Sequence, residues 1–521
     1  MNKYLKVAQN NQENFIPNSY LNIENITWKN GNIIPYGGIV FFSNFLKVSG
    51  ILEQMVNECP FEYKSHNSPK PSDLIGTIVL SILLGCTRYS HINQFRNDNI
   101  SPKLLGFEKI ISEDSVRRAL KKCNFERVNG WLLKFEQIIY NHLISYDYIL
   151  DIDNTVVPIY GHQEGAEIGY NPSKPGRPNL NYHSYFIGSI RLLLGVDVLN
   201  GKQSSGIYGL PGLLRFLDSL SPKYYPRLIR GDIGYAVDKI MSVLEERNVK
   251  YLFKLKHTTN VSKKFKELLC EKWFDCGKGW ESIETTIQLT GWDKARRVLF
   301  VRRPKRNLKP NTEEKTGRGR PKKEKPIQIE FDFFIEKQNN LEWEYYVLIT
   351  NDYSLNSYEL TDLYRNRGDC ENNFDELKNQ MGWGGFITKD IKSTSIMARL
   401  IAIVKNLWNI FCRLANPNKH LEPITSKPLL LYINARLTKS GRKTKIQLSS
   451  TNKYATVIKA TLTNINYILK CILSKCRAVN KNDCWKEILH IAFMKWLGKK
   501  KTFFLENTNQ MLLEFENYKI Y

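Results

Sequence analysis

The sequence predicts a multidomain α/β protein with helical regions at both ends. Three observations lead there. Residues 146–157, YDYILDIDNTVV, alternate in character and are rich in β-branched and aromatic types, as a strand requires. Residues 225–256 read as a compact strand, helix and strand: RLIR, a turn at Gly231 to Gly234, a helix from Val237 to Arg247, and KYLFKLK. Residues 356–380, with no proline, and 393–414 carry helical patterns.

Composition bounds the function. A chain of 521 residues, 42% hydrophobic and 12% aromatic, is long enough for several cores and is a folded protein. Seventy-six Lys and Arg against 51 Asp and Glu leave a formal charge of +25 and a pI near 9.4. That surplus suits a polyanion, and nucleic acid is the first choice. A membrane surface suits it less: the longest uncharged run, Leu74 to Thr87, is too short to span a bilayer, so no transmembrane segment is expected. The opening MNKYLKVAQNNQ has no apolar signal region, and ten scattered cysteines form no CxxC pair or Cys/His cluster. Both features point to a reducing cytoplasm with free thiols and argue against zinc.

Residues 1–70 carry no functional signal. From Pro71 to Cys123 the pattern is helical: an apolar helix over 72–87, a polar one near 90–97, and a third capped by Ser112 that bears Arg117 and Arg118. Three short helices with a basic last one suit a helix-turn-helix DNA-binding unit; an ordinary helical subdomain with a solvated basic face suits them equally. Residues 126–145 continue as an amphipathic helix.

The strand at 146–157 sends Leu150 and Ile152 one way and Asp151 and Asp153 the other. Carboxylates on a strand face need cations, from protein side chains or from bound metal, unless the face is a solvated surface. Asp232 follows the carboxyl end of a strand, where open α/β sheets hold ligands, although an ordinary turn aspartate would also sit there. In 356–380, Asn356 and Glu359 form a capping-box pattern. Tyr364, Arg367, Glu371 and Lys378 then fall within roughly 60° of one another on an ideal helix, one stripe of a tyrosine, two cations and a carboxylate.

Residues 257–345 read as a β-rich insertion. Within it, Arg296 to Lys325 holds thirteen Lys or Arg and three acids, a run that cannot build a core and lies near a polyanion or in solvent. Arg318-Gly-Arg320-Pro either is an unspecific basic loop, the simpler reading, or resembles the core of an AT-hook, whose arginines enter the minor groove of A·T tracts. The remainder, 416–521, is helical and basic, densest at ARLTKSGRKTK (435–445).

Strand-borne Asp153, strand-end Asp232 and helix-borne Glu371, interrupted by a β-rich insertion, have the order of a ribonuclease-H-like core. Three such carboxylates converging would hold two Mg²⁺ ions about 3.5–4 Å apart for an in-line phosphodiester displacement. The expected division is 1–135 as a helical, DNA-binding region, 136–256 with 346–415 as the core, 257–345 as the insertion, and 416–521 as a helical basic region.

The spacing Tyr364-x2-Arg367-x3-Glu371-x6-Lys378, with DIDNT at 151–155, EGAEIGYNPSKPGRP at 164–178 and RGDIGY at 230–235, resembles the group 1 DDE transposases of bacterial insertion sequences. The likeness spans roughly 130–410. It implies cut-and-paste transposition: hydrolysis at the element end frees a 3′ hydroxyl that attacks the opposite strand or target DNA. Asp153, Asp232 and Glu371 would be the metal carboxylates for two Mg²⁺, with Mn²⁺ as a substitute. Asp151 departs from a single-aspartate pattern and either supports the site or replaces Asp153. Tyr364, Arg367 and Lys378 would contact phosphates, and Trp343 or Tyr346 would stack on a flipped base if it is not core packing. The partners implied are double-stranded DNA, as element terminal repeats and target, and a second copy of the chain on that DNA, in the nucleoid of a bacterial cytoplasm. A nuclease of the same fold without strand transfer, and a DNA-binding relic without catalysis, are the competing readings.

Overall fold

A computed structural model of the chain describes residues 33–62, 68–305, 334–338, 341–417, 419–441, 443–476 and 481–498. Its strands are β1 (Ile33–Ile34), β2 (Ile149–Pro158), β3 (Glu167–Ile168), β4 (Pro178–Ile187), β5 (Leu192–Asn200), β6 (Leu228–Gly231), β7 (Tyr251–Lys254), β8 (Phe274–Asp275), β9 (Glu281–Ile287) and β10 (Arg296–Pro304). β11 (Phe334–Gln338), β12 (Leu341–Thr350), β13 (Asn434–Ser440) and β14 (Lys443–Ser449) follow.

One large sheet organises the molecule. Its order is β3-β4-β2-β6-β7-β12-β10-β9-β8, with β5 paired to β4 and β11 to β12. β2, β6 and β7 run parallel, whereas β4 is antiparallel to both β2 and β5. The β-rich insertion does not fold apart from the core. β12 joins the two, because Leu348–Thr350 pair with β7 while the strand also pairs with β10 from Trp343 to Thr350. Tyr345 to Ile349 form an unbroken apolar run, each no more than 2% exposed, and a strand buried on both faces belongs inside a sheet.

Helices cover the sheet. Ile391–Ala415 packs on β5 and on the helix Phe125–Tyr140, and its length and composition would suffice to cross a membrane. Here it is enclosed by protein, and its polar residues bind backbone. Asn406 accepts from the Leu193 N–H at 3.1 Å and donates to the Leu193 carbonyl at 2.6 Å. Asn409 and Lys405 reach the carbonyls of Ile190 and Arg191 at 2.9 and 2.5 Å. These bonds meet β5 beside a register shift between Tyr185 and Phe186, where the ladder alone leaves groups unpaired.

The N-terminal helices belong to the same core. Pro71–Leu83 is buried against Ile391–Ala415. Ser112 caps Glu113–Lys122, accepting from the Ser115 N–H at 3.2 Å; Val116, Ala119 and Leu120 face inward, and Arg117 and Arg118 face solvent. The polar helix expected near 90–97 is a single 3₁₀ stretch, Tyr89–Gln94. At the other end β13 and β14 form a hairpin that pairs with β1.

Asn406→Ala should lower the unfolding free energy by roughly 2–4 kcal/mol in urea titration, since a buried N–H and a buried carbonyl each lose their partner. A loss below about 0.5 kcal/mol, the range of an indifferent surface change, would contradict this role.

Candidate active site

The centre of the site is one face of β2. Side chains two apart share a strand face, so Asp151, Asp153 and Thr155 stand in a row. A cation meets each of them. Arg230 grips Asp151 at 2.7 and 2.8 Å, the carboxylate being fully buried and the arginine 4% exposed. Arg367 Nη2 lies 2.7 Å from Asp153 Oδ2, and Lys378 Nζ donates to Thr155 Oγ1 at 2.9 Å.

Asp232 arrives from the neighbouring strand. β2 and β6 pair in parallel through Ile152 and Gly231, so the next residues on the two strands, Asp153 and Asp232, are adjacent. β6 ends there because Asp232 turns the chain: its side chain accepts from the Gly234 N–H at 2.9 Å and caps a 3₁₀ turn, Ile233–Tyr235. Burial, with Asp232 and Asp151 nearby, pushes the Asp153 carboxyl up to about 7 against the opposing pull of Arg367 and the Asn154 N–H. Two carboxylates, Asp153 and Asp232, thus share one guanidinium, that of Arg367. Burial, with Asp153 and Asp232 nearby, also holds the Tyr235 phenol well above its usual range.

The segment expected to be one helix is not uniform. Asn356 and Glu359 form the capping box of Ser357–Arg365, with both bonds at 2.9 Å. A 3₁₀ turn over Asn366–Gly368 follows, then the α-helix Asp369–Asp375 and a π turn over Glu376–Gln380. A 3₁₀ turn overwinds and a π turn underwinds the helix, so the ideal stripe does not survive. Arg367 and Lys378 face β2, Tyr364 is 3% exposed in the core, and Glu371 is exposed.

The expected DNA contacts fall in different surroundings. Tyr364 stacks on Tyr346 with ring centroids 6.3 Å apart, and Tyr346, 2% exposed, also meets Trp280 edge-on at 5.3 Å. Both tyrosines are core residues. The Trp343 ring is half-buried and carries the Arg302 guanidinium 4.2 Å from its centroid, so that face is occupied. Arg367 is committed to Asp153, and Lys378 to Thr155. Arg117 and Arg118 are exposed, but Arg117 pairs with Asp114 at 2.5 Å. Arg318 and Arg320 lie outside the described residues.

One group escaped the sequence reading. Glu376, fully buried in the π turn, bonds His420 Nε2 at 2.7 Å and lies 3.5 Å from Lys405 and 3.7 Å from Arg191. Burial alone would raise this carboxyl, but Lys405, His420 and Arg191 outweigh it and bring it down to about 2. Its partners are distant in sequence and leave no local signal.

Asp153 and Asp232 are the two hard-oxygen donors here that could hold a divalent cation, Asp153 with one oxygen on Arg367 and the other on the Asn154 N–H, and Asp232 with one oxygen on the Gly234 N–H. Glu371 does not close on them. Among the described residues no three His, Cys, Asp or Glu side chains form a group able to hold a metal ion, so the expected convergence of Asp153, Asp232 and Glu371 is not seen there. Asp151 is likewise no donor, since Arg230 holds both of its oxygens.

Asp151→Asn should cost about 3–5 kcal/mol of stability, because it leaves the Arg230 charge buried and unpaired. Chemical denaturation tests this; a variant of unchanged midpoint would show that Asp151 is not a structural counter-charge.

Residues 145–407 match the family model for the transposase DDE domain. No curated protein matches the chain. Among solved structures, a piggyBac transposase in a synaptic complex with hairpin DNA aligns over 93% of this chain and 91% of that one, at 11% identity and a TM-score of 0.36. The family match covers just over half of the sequence and contains every residue of the β2 face and of the elements around it, and the chain belongs to the DDE-domain transposases.

Proposed function

We propose that the chain is a cut-and-paste DNA transposase of insertion-sequence type. It cleaves phosphodiester bonds at element ends with Mg²⁺ and joins the freed 3′ hydroxyl to target DNA. The observation that carries this reading is the proximity of Asp153, on β2, to Asp232, the residue just past the end of the parallel strand β6, within the region that matches the family. The order β5-β4-β2-β6-β7, antiparallel on the first side and parallel on the second, supports a ribonuclease-H-like core.

Divalent metal, when bound, supplies charge to the attacking and leaving oxygens of an in-line displacement. The residues of the chain prepare for it. Asp153 and Asp232 offer the carboxylates, and the Gly234 N–H fixes one oxygen of Asp232. Arg367 neutralises Asp153 and keeps the carboxylate from being protonated more readily still. Lys378 holds Thr155 and thereby ties the helical segment to the strand, so its role is positioning. Glu371, on the exposed side of that segment, is the remaining acid of the motif and is proposed to act once the segment closes on DNA. Synapsis of two element ends calls for a homodimer on DNA.

Labelled DNA carrying the element's own ends, incubated with the protein and Mg²⁺, should yield joined products. Asp232→Asn and Glu371→Gln should each reduce cleavage and joining at least a hundredfold while leaving DNA binding intact, given that metal ligands act in the reaction and not in recognition. Cleavage without joining would favour a nuclease, and an active Glu371→Gln enzyme would remove Glu371 from the mechanism.

A further inference from the structure

The hairpin β13–β14 lies outside the region that matches the family and has no part in the site above. From Pro423 to Asn482 the chain contains twelve Lys or Arg and no Asp or Glu, although acids are frequent elsewhere. The hairpin is the only pair of strands in that stretch, among the described residues.

Its two faces differ. Cross-strand partners point the same way, and the register sets Asn434 opposite Ser449, Arg436 opposite Gln447, and Thr438 opposite Lys445. Every side chain of this face is polar or cationic. On the other face Ala435, Leu437 and Ile446 pack with Ile34, Ile100 and Leu104 into a small core of their own, Leu448 is 40% exposed, and Lys439 and Thr444 continue toward the turn. β1 pairs with Ile34 against Ala435, and the Gly37 N–H donates to the Ile433 carbonyl at 2.6 Å, so the hairpin is held to the body at its base. The turn that reverses the strands has Gly441 at φ +59°, a conformation that costs glycine little. A ribbon fixed by one face and polar on the other has a surface that burial within the chain does not explain.

We propose that this face is a duplex-DNA-reading ribbon, with Asn434, Arg436, Thr438, Lys445, Gln447 and Ser449 turned into the major groove. A two-stranded ribbon fits that groove, about 12 Å wide. Arg and Lys pair with guanine or phosphate, Asn and Gln with adenine, and Ser and Thr with either kind of edge. An anionic membrane would attract the charge equally, but insertion requires large apolar side chains on the same face, and this face has none. The inference rests on the DNA-transposase reading and adds to it a site of recognition separate from the site of chemistry.

The test uses the full chain and a fluorescent duplex of mixed sequence across a salt series, beside vesicles of phosphatidylserine and phosphatidylcholine. Arg436→Gln with Lys445→Gln should weaken duplex binding at least tenfold near 0.1 M salt. The slope of log K against log salt should shrink by about two, one for each lost phosphate contact. Arg436→Lys should restore its share of that slope. Asn434→Ala with Gln447→Ala should keep the slope and abolish the preference that the native protein shows in selection from a randomised duplex pool. Unfolding midpoints should match the native value, since all four positions are exposed. Unchanged duplex affinity and slope in the charge variant overturn the ribbon and leave the transposase reading standing, as does hairpin-dependent binding to vesicles with none to duplex. A native protein that binds no duplex at any salt removes both.

Discussion

Burying acid on the face of a central strand is the constraint around which the rest of the core is arranged. β2 carries Asp151, Asp153 and Thr155 in a row, and a buried carboxylate is tolerated only with compensating charge. Each position receives a cation from another element: Arg230 from the next strand, Arg367 from the 3₁₀ turn and Lys378 from the π turn. The three partners are not equivalent. The Asp151 pair is closed, bidentate and structural. At Asp153 one arginine faces a carboxylate that also feels Asp232 and Asp151, and burial together with those two acids holds its pKa up against the arginine. Two carboxylates that share one guanidinium beside a completed ion pair are a place prepared for a cation.

The geometry of the covering segment follows from a second buried acid. Glu376 sits among Lys405, His420 and Arg191, and Asn373 shares Lys405 at 3.0 Å. Lys405 belongs to the long helix Ile391–Ala415, whose neighbouring Asn406 is bound to β5. The π turn, the long helix and the sheet are thereby joined through buried polar groups. The position of Lys378, two residues beyond Glu376, depends on that joint.

Local physics made part of this legible in the sequence. Alternation marks β2, the strand, helix and strand around Asp232 follows from short apolar runs with a turn between them, and Asn356 with Glu359 forms the capping box that its spacing suggests. Distant partners decided what was not legible. Ideal helical spacing put Tyr364, Arg367, Glu371 and Lys378 on one stripe, whereas the 3₁₀ and π turns are imposed by contacts with β2 and by the Glu376 network. Tyr346 and Tyr364 look like available aromatics until Trp280, brought in by the sheet's extension through β12, encloses one of them. The faces of the β13–β14 hairpin were invisible for the same reason, since a basic run becomes two-sided only when a register is fixed.

The most direct measurement is Mn²⁺ binding by calorimetry, as a function of pH, for the native chain and for Asp153→Asn and Asp232→Asn. Protons compete with metal for Asp153, whose carboxyl titrates near 7, so native affinity should climb as pH rises through about 7 and level off above it. Each variant should bind at least tenfold more weakly and, for Asp153→Asn, without that pH dependence. Equal affinity in the native chain and both variants would contradict the assignment of this aspartate pair as the metal-binding centre.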